Sequence, residues 1–413
     1  MEPDMRKNLA AVCFGSVFLV ALNGCQLTRG GGTDDTNTTD TTPKGQKAVV
    51  ATIAPDFSSG AHAVFSAEVP YEGTTQLSPT ISDITVRCSG EYFYRIERFQ
   101  GENIARFHIA QPDTAIYQYS TKASDGTETA SSNPHDLLVI SPTKAYLLRY
   151  GSPKLWIVNP SAETEADFKI GEIDLGAYSI GSAPNMDKGI VVDGKAYITL
   201  QRLDETFAPQ DAYVVVIDTE TDTEMDTQPA ADGLKGILLP VKNPGDIEYS
   251  QDDGLIYVQG IGRYGNSFSG QDPEYAGGIV SINPKDNNRV TLVLDDGDAD
   301  NHPFGLITGM EITSATKGYI IGYKGFTDNA LYSFNPATGQ VDADAAGEPV
   351  VVAGISGIGI GGLGVDTDGK LWISMADATD PGIKVIKASD GSVIEERIST
   401  VLNPSTITFC DAP

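Results

Sequence analysis

From Asn185 to Asp222 the chain alternates short apolar stretches with polar turns. Gly189–Val192 is apolar, Asp193-Gly194 is a tight-turn dipeptide, and Lys195–Leu200 is a second stretch carrying Tyr197, Ile198 and Thr199. After a polar excursion comes Ala212–Ile217, closed by Asp218-Thr219-Glu220-Thr221. Short β-branched or aromatic runs bounded by Gly, Asp, Asn or Pro predict antiparallel strands joined by tight turns.

The unit recurs. Second strands carry an aromatic near their start at Phe93, Tyr146, Tyr197, Tyr257, Tyr319 and Trp372, spaced 51–62 residues apart. Third strands follow each, and fourth strands are weaker, with Arg289–Leu294 the clearest. A long period with four strands per unit predicts an all-β propeller, in which neighbouring blades bury a shared core. A β-solenoid has a shorter repeat, and separate sandwiches fit less well.

Six units are visible between Asp83 and Thr400. Strands are also expected at Lys47–Ile53, Ala61–Val69 and Thr74–Ser78, and at Ser405–Phe409 near the other end. The last of these can serve as inner strand of a seventh blade whose other three strands come from the first part of the chain. The expected architecture is thus a seven-bladed β-propeller over residues 47–413, closed by its C-terminal strand, which removes sheet edges.

The preceding residues do not fit this pattern. Met5-Arg6-Lys7-Asn8 leads into an apolar run from Leu9 to Leu22, shaped like a signal-peptide core. It ends Leu22-Asn23-Gly24-Cys25, which resembles the bacterial lipobox. That resemblance implies a signal peptide over residues 1–24 and diacylglyceryl attachment at Cys25, a firm anchor. Gln26 after the cysteine implies transfer to the outer membrane of a cell envelope. Residues 25–46, with Gly30-Gly31-Gly32 and many Thr and Asp, read as a flexible tether.

Of four cysteines, Cys88 and Cys410 remain once Cys13 and Cys25 are assigned to the leader and the lipid. An envelope compartment permits disulfides, and each cysteine ends an expected inner strand. Neighbouring inner strands would pair them; two free buried thiols is the alternative.

Lys and Arg total 28 against 56 Asp and Glu, a formal net charge of −28. Such a surface repels phosphate backbones, which excludes nucleic acid as a partner. Solubility in a salty or extracellular setting is the simplest reading of it.

At Ser82-Asp83-Ile84-Thr85-Val86 and from Tyr94 to Ile104 the chain resembles the YncE-like, YVTN-type seven-bladed propellers of bacterial envelopes. Val214–Thr221 and Val365–Trp372 match the general propeller strand-turn pattern. The resemblance spans Lys47 to Phe409. It implies a fold and an envelope address; it does not imply an activity, since fold does not fix function.

Loops entering the inner strands carry a recurring polar set: Asp83, Asn133 with His135 and Asp136, Asn185 with Asp187, Asn243 with Asp246, Asn301 with His302, and Asn403. Ring symmetry gathers these at one channel mouth. Oxygen-rich rings suit Ca²⁺ or a small polar ligand, as in the propeller hydrolases of the paraoxonase type. The structural alternative is that each Asn or Asp caps its own turn. Asp296, Asp298 and Asp300 alternate like half a calcium loop, without the bidentate Glu.

The inventory weakens enzyme readings. Four histidines, with His62 expected in an outer strand, and two tryptophans build neither a copper cluster nor a quinoprotein ring. No Gly-x-Ser-x-Gly elbow occurs. The run Gly357–Gly364 lacks the Lys-Ser/Thr ending of a phosphate loop and reads as close packing at an inner strand. The leading expectation is a lipid-anchored binding or scaffold module for an envelope protein or small ligand. The alternatives are a metal-dependent hydrolase or lactonase at the mouth, or an accessory subunit of an electron-transfer or secretion complex.

Overall fold

The computed structural model describes residues 45–412 apart from 124–127, 129, 228–232, 267–270 and 378. The signal segment, Cys25 and the tether up to residue 44 lie outside the described residues.

Six antiparallel sheets follow one another along the chain. Within each, consecutive strands pair as hairpins. The Asp193-Gly194 turn shows why: both residues hold positive φ, 49° and 73°, and Val192 pairs with Lys195. That is the two-residue turn whose twist matches the strands it joins. Four-stranded sheets occupy residues 84–120, 134–174 and 244–294, with a five-stranded one over 186–238.

The sixth sheet has seven strands, over residues 306–399. At its middle lies one long strand, Val351–Val365. Its residues 351–358 pair with Asp328–Phe334, and its residues 359–365 pair with Lys370–Ala376. One strand is therefore the last of one four-stranded group and the first of the next.

The remaining sheet joins the two ends of the chain. Asn403–Asp411 pairs with Gln46–Ile53, which pairs with Gly60–Ser66 and then Gly73–Thr80. The strand begins at Gln46, one residue earlier than expected, and Gln46 Oε1 accepts hydrogen bonds from Thr367 N and Oγ1. The second strand stops at Ser66, short of the expected Val69, and the final strand runs longer than Ser405–Phe409. His62 lies in this second strand and is fully buried between Phe93 and Phe107, not at an outer edge.

First strands of successive sheets pack on one another. Asn403–Asp411 packs both on Ile84–Ser89 and on Val351–Val365. A core of Ala48, Val50, Phe65, Trp372, Val385, Ile407 and Phe409 fuses the two chain ends to the end of the sixth sheet. Burying such side chains contributes roughly 1.5–3 kcal/mol each. Cys88 and Cys410 form a disulfide with Cα atoms 5.1 Å apart and a sequence separation of 322.

Candidate functional site

The residues entering the first strands are turn-formers before they are anything else. Asn133, Asn185 and Asn243 hold left-handed φ values of 40°, 58° and 54°. Asn tolerates this region more readily than branched residues do. Their carbonyl oxygens accept the N–H groups of Tyr150, Gln201 and Ile261, each at 3.0 Å. Asp83 accepts Arg98 N–H with its carbonyl, and its carboxylate takes Arg98 Nε at 2.7 Å and Phe99 N at 3.1 Å. Asn403 lacks the left-handed conformation, which falls instead on Val401.

A β-bulge follows almost at once. Ladder register shifts between Pro134 and Asp136, Met186 and Gly189, Pro244 and Asp246, Ile307 and Gly309, and Ile360 and Gly362. In the final strand Ser405 and Thr406 fall within the matching shift, opposite Ala51. Bulges re-aim side chains. In three first strands they carry charge: His135-Asp136, Asp187-Lys188 and Asp246. In the sixth sheet they carry Gly309 and Gly361-Gly362, and a Cβ on Gly361 would stand 2.2 Å from Pro404 O.

The charged bulges meet. His135 Nδ1 and Asp187 Oδ1 lie 2.6 Å apart, and the imidazole stacks on Tyr150 with centroids at 4.1 Å. Gln201 Nε2 donates to Asp187 Oδ2 at 3.0 Å and to Pro244 O at 3.2 Å, while its Oε1 accepts Tyr150 O–H at 2.8 Å. Asp136 Oδ2 accepts Gly189 N–H at 3.2 Å and stands 3.7 Å from Arg87. Burial holds the His135 imidazole toward its neutral form, opposed by the Asp187 hydrogen bond. Burial also lowers the Lys188 ammonium, against the pull of Asp136 and Asp187. Lys188 is 4% exposed, and no carboxylate among the described residues stands within ion-pair distance of it.

Beyond Lys188 the charge turns acidic. Asp246 and Glu248 lie on one face of their strand, and Glu311 on the next first strand. Burial raises all three carboxyl groups, Glu311 to about 8, and each is raised further by another of the three. Glu248 Oε2 accepts Ile312 N–H at 2.7 Å and Asp246 Oδ1 accepts Ile247 N–H at 2.9 Å. Asp246 Oδ2, Glu248 Oε1 and Glu311 Oε2 are buried without a hydrogen-bond partner. So is Oε1 of Gln259, the cross-strand partner of Asp246.

His302 stands apart from this group. It stacks on Tyr275 at 4.1 Å and donates to Asp298 O at 2.9 Å. Asn301 is exposed beside it. Asp298 Oδ1 caps the N–H groups of Asp300 and Asn301, both at 2.9 Å, and Asp300 is exposed. Asp296 turns inward to Gly277 N–H, and burial raises its carboxyl to about 7. Asp296 and Asp298 thus serve different contacts, and Asp300 faces solvent. Among the described residues no group of three or more His, Cys, Asp or Glu side chains is placed to hold a metal ion.

Sequence reasoning missed Lys188, Gln201, Glu248, Gln259 and Glu311. The available signal was a charged residue inside an otherwise apolar first strand, as in Ile247-Glu248-Tyr249 and Met310-Glu311-Ile312.

No family model and no curated protein matches the chain. Solved structures do. A Lactobacillus plantarum protein superposes with a TM-score of 0.58 at 12% identity, covering 88% of this chain and 99% of that one. A Bacteroides fragilis protein provisionally assigned as a 6-phosphogluconolactonase gives 0.55 at 12% identity, covering 90% and 99%. Hydrazine synthase from Kuenenia stuttgartiensis gives 0.53 at 14%, covering 87% and 100%. Identities this low speak for the fold alone, an all-β fold of propeller type.

Proposed function

We propose that the chain is a YncE-like, seven-bladed propeller anchored through Cys25 in the outer membrane, acting as a binding module for a partner in the envelope. Counting the long strand Val351–Val365 twice, and the sheet of the two chain ends once, gives seven blades, six of four strands and one of five, with Asn403–Asp411 as the closing strand. The binding site is the end of the channel where Asp136, Asp187, Lys188, Asp246, Glu248 and Glu311 meet. One observation carries this reading: buried carboxyl oxygens that hydrogen-bond nothing in the protein. Such atoms cost about 1–3 kcal/mol each when left unmade, which a fold built only for stability has no reason to keep.

A second reading is a lactonase-type hydrolase, the activity provisionally assigned to one solved structure of this fold. His135 and Asp187 have the arrangement of a general base and its orienting acid. A base must reach the proton it takes, and the His135 ring is covered by the stacked Tyr150 with its Nδ1 held by Asp187. Geometry therefore favours binding over turnover.

Affinity purification of the intact chain from detergent-solubilised envelopes tests the proposal. A partner retained by the native chain and lost with Asp246→Asn supports it. Turnover of lactones abolished by His135→Ala replaces it with the second reading.

A further inference from the structure

Four of the buried unpartnered atoms lie on Asp246, Glu248, Glu311 and Gln259 and share one chemical property. Asp246 Oδ2, Glu248 Oε1, Glu311 Oε2 and Gln259 Oε1 are all oxygens, from strands of two adjacent sheets. No two of them are hydrogen-bonded to each other. All four side chains are at least nine-tenths buried, with Gln259 fully so. Gln259 is turned into this group by its own hydrogen bond: Nε2 donates to Ile307 O at the entry of the next first strand. Its oxygen is left on the side of Gly245, where a Cβ would stand 3.4 Å away.

Once the three carboxyl groups are ionised these oxygens are acceptors without donors, complementary to a compact group that brings several donors and positive charge. An ammonium carries three N–H donors and no acceptor. Charge-assisted hydrogen bonds of this type are about twice as strong as neutral ones. Among the described residues these side chains do not form a group placed to hold a metal ion. Aromatic rings stand near this group: Tyr264, in the segment after Leu255–Gly260, meets Tyr323 edge-on with centroids 5.1 Å apart, and its phenol feels the charge of Asp187. Aromatic faces add to the binding of ammonium groups.

We propose that the mouth binds a small free organic amine, its ammonium held by Asp246, Glu248, Glu311 and the Gln259 carbonyl. The inference rests on reading the mouth as a binding site and names what that site takes. Lys188 is the internal competitor, since its own ammonium acts on Asp246. Ligand entry converts carboxyl groups to carboxylates, so binding releases protons to buffer. The charged groups facing them are Asp187 and Lys188 from the neighbouring first strand.

Calorimetric titration of the mature chain with methylammonium, putrescine and choline, and with CaCl₂ and MnCl₂ as controls, tests this. Saturable binding of a primary amine is expected, with proton release measurable from the buffer dependence of the heat. Glu311→Gln combined with Asp246→Asn should weaken it at least tenfold while unfolding of the free protein stays cooperative. Lys188→Met should tighten it. Three results overturn the proposal: no saturable amine binding, amine affinity unchanged in the double variant, or saturable binding of the divalent metals alone. If amines fail while Asp246→Asn still loses an envelope partner, the wider binding proposal stands and only its ligand class falls.

Discussion

Glu248 accepts, at 2.7 Å, the backbone N–H of Ile312 in the first strand of the next sheet. The relationship recurs in other chemistry. Asp136 Oδ2 accepts Gly189 N–H at 3.2 Å, and Thr408 Oγ1 accepts Cys88 N–H at 3.2 Å. A first strand has only one strand partner within its sheet, so its other edge presents unpaired backbone donors. A polar side chain from the adjacent sheet answers them. In Glu248 this stapling uses one carboxyl oxygen and leaves the other for something else.

Glu311 gives the first prediction. Its carboxyl titrates at about 8 in the folded protein against 4.5 ordinarily. Between those values the folded state holds more protons than the unfolded one, so stability falls as pH rises through that window. Glu311→Gln removes the titration. Urea unfolding at pH 5 and pH 8 should show the native chain losing stability and the variant losing less, by on the order of 3 kcal/mol at most.

His62 acts in the opposite direction. Burial among Phe93 and Phe107 lowers its imidazole to about 4 from 6.5, against the hydrogen bond to Pro112 O. Here the unfolded state holds the extra proton, so stability is lost as pH falls from about 6.5 toward 4. His62→Gln should flatten that acid limb in thermal melts between pH 4 and 7, although it lowers stability at pH 7 through lost packing.

Asn133 separates turn chemistry from ligand chemistry. Its φ of 40° suits Gly or Asn. Asn133→Gly should leave unfolding within about 0.5 kcal/mol of native, whereas Asn133→Ala should cost about 1–2 kcal/mol. Equal stability of the two variants, by chemical denaturation, would remove the turn role.

Closure is tested at two points. Cys88→Ser with Cys410→Ser should lower stability by about 2–5 kcal/mol, read as a lower denaturant midpoint. Gly361→Ala forces a Cβ against Pro404 O and Ser405 Cα, both backbone atoms. It should destabilise by about 2 kcal/mol or more through overpacking, and amide exchange should rise first in Asn403–Asp411.

Much of this fold was readable because its signals are local. Tyr197, Tyr257, Tyr319 and Trp372 mark second strands that are buried on both faces, so an aromatic recurs there. Cys88 and Cys410 end adjacent first strands, and their pairing follows from order alone. Gly357–Gly364 did read as close packing at an inner strand, but that Val351–Val365 is one strand shared by two groups was not readable, because seven glycines or alanines in fifteen residues erase the alternation that marks a strand. Glu248 and Glu311 were missed for a related reason. A charge at alternate positions of a strand ordinarily marks a wet face, and only the neighbouring sheet makes that face dry. Of the expected mouth residues, His135, Asp136, Asp187 and Asp246 do converge, whereas Asn133, Asn185 and Asn243 turn the backbone and His302 stands elsewhere.

The pairing of the two chain ends also sets a direction. Gln46 lies opposite Asp411, while Ile53, at the far end of the same strand, lies opposite Asn403, where the final strand begins. Whatever precedes Gln46 therefore leaves from the end of this sheet opposite Asn403. An anchor attached through that segment, as we propose, would reach the fold at the end away from Asp136, Asp187 and Asp246.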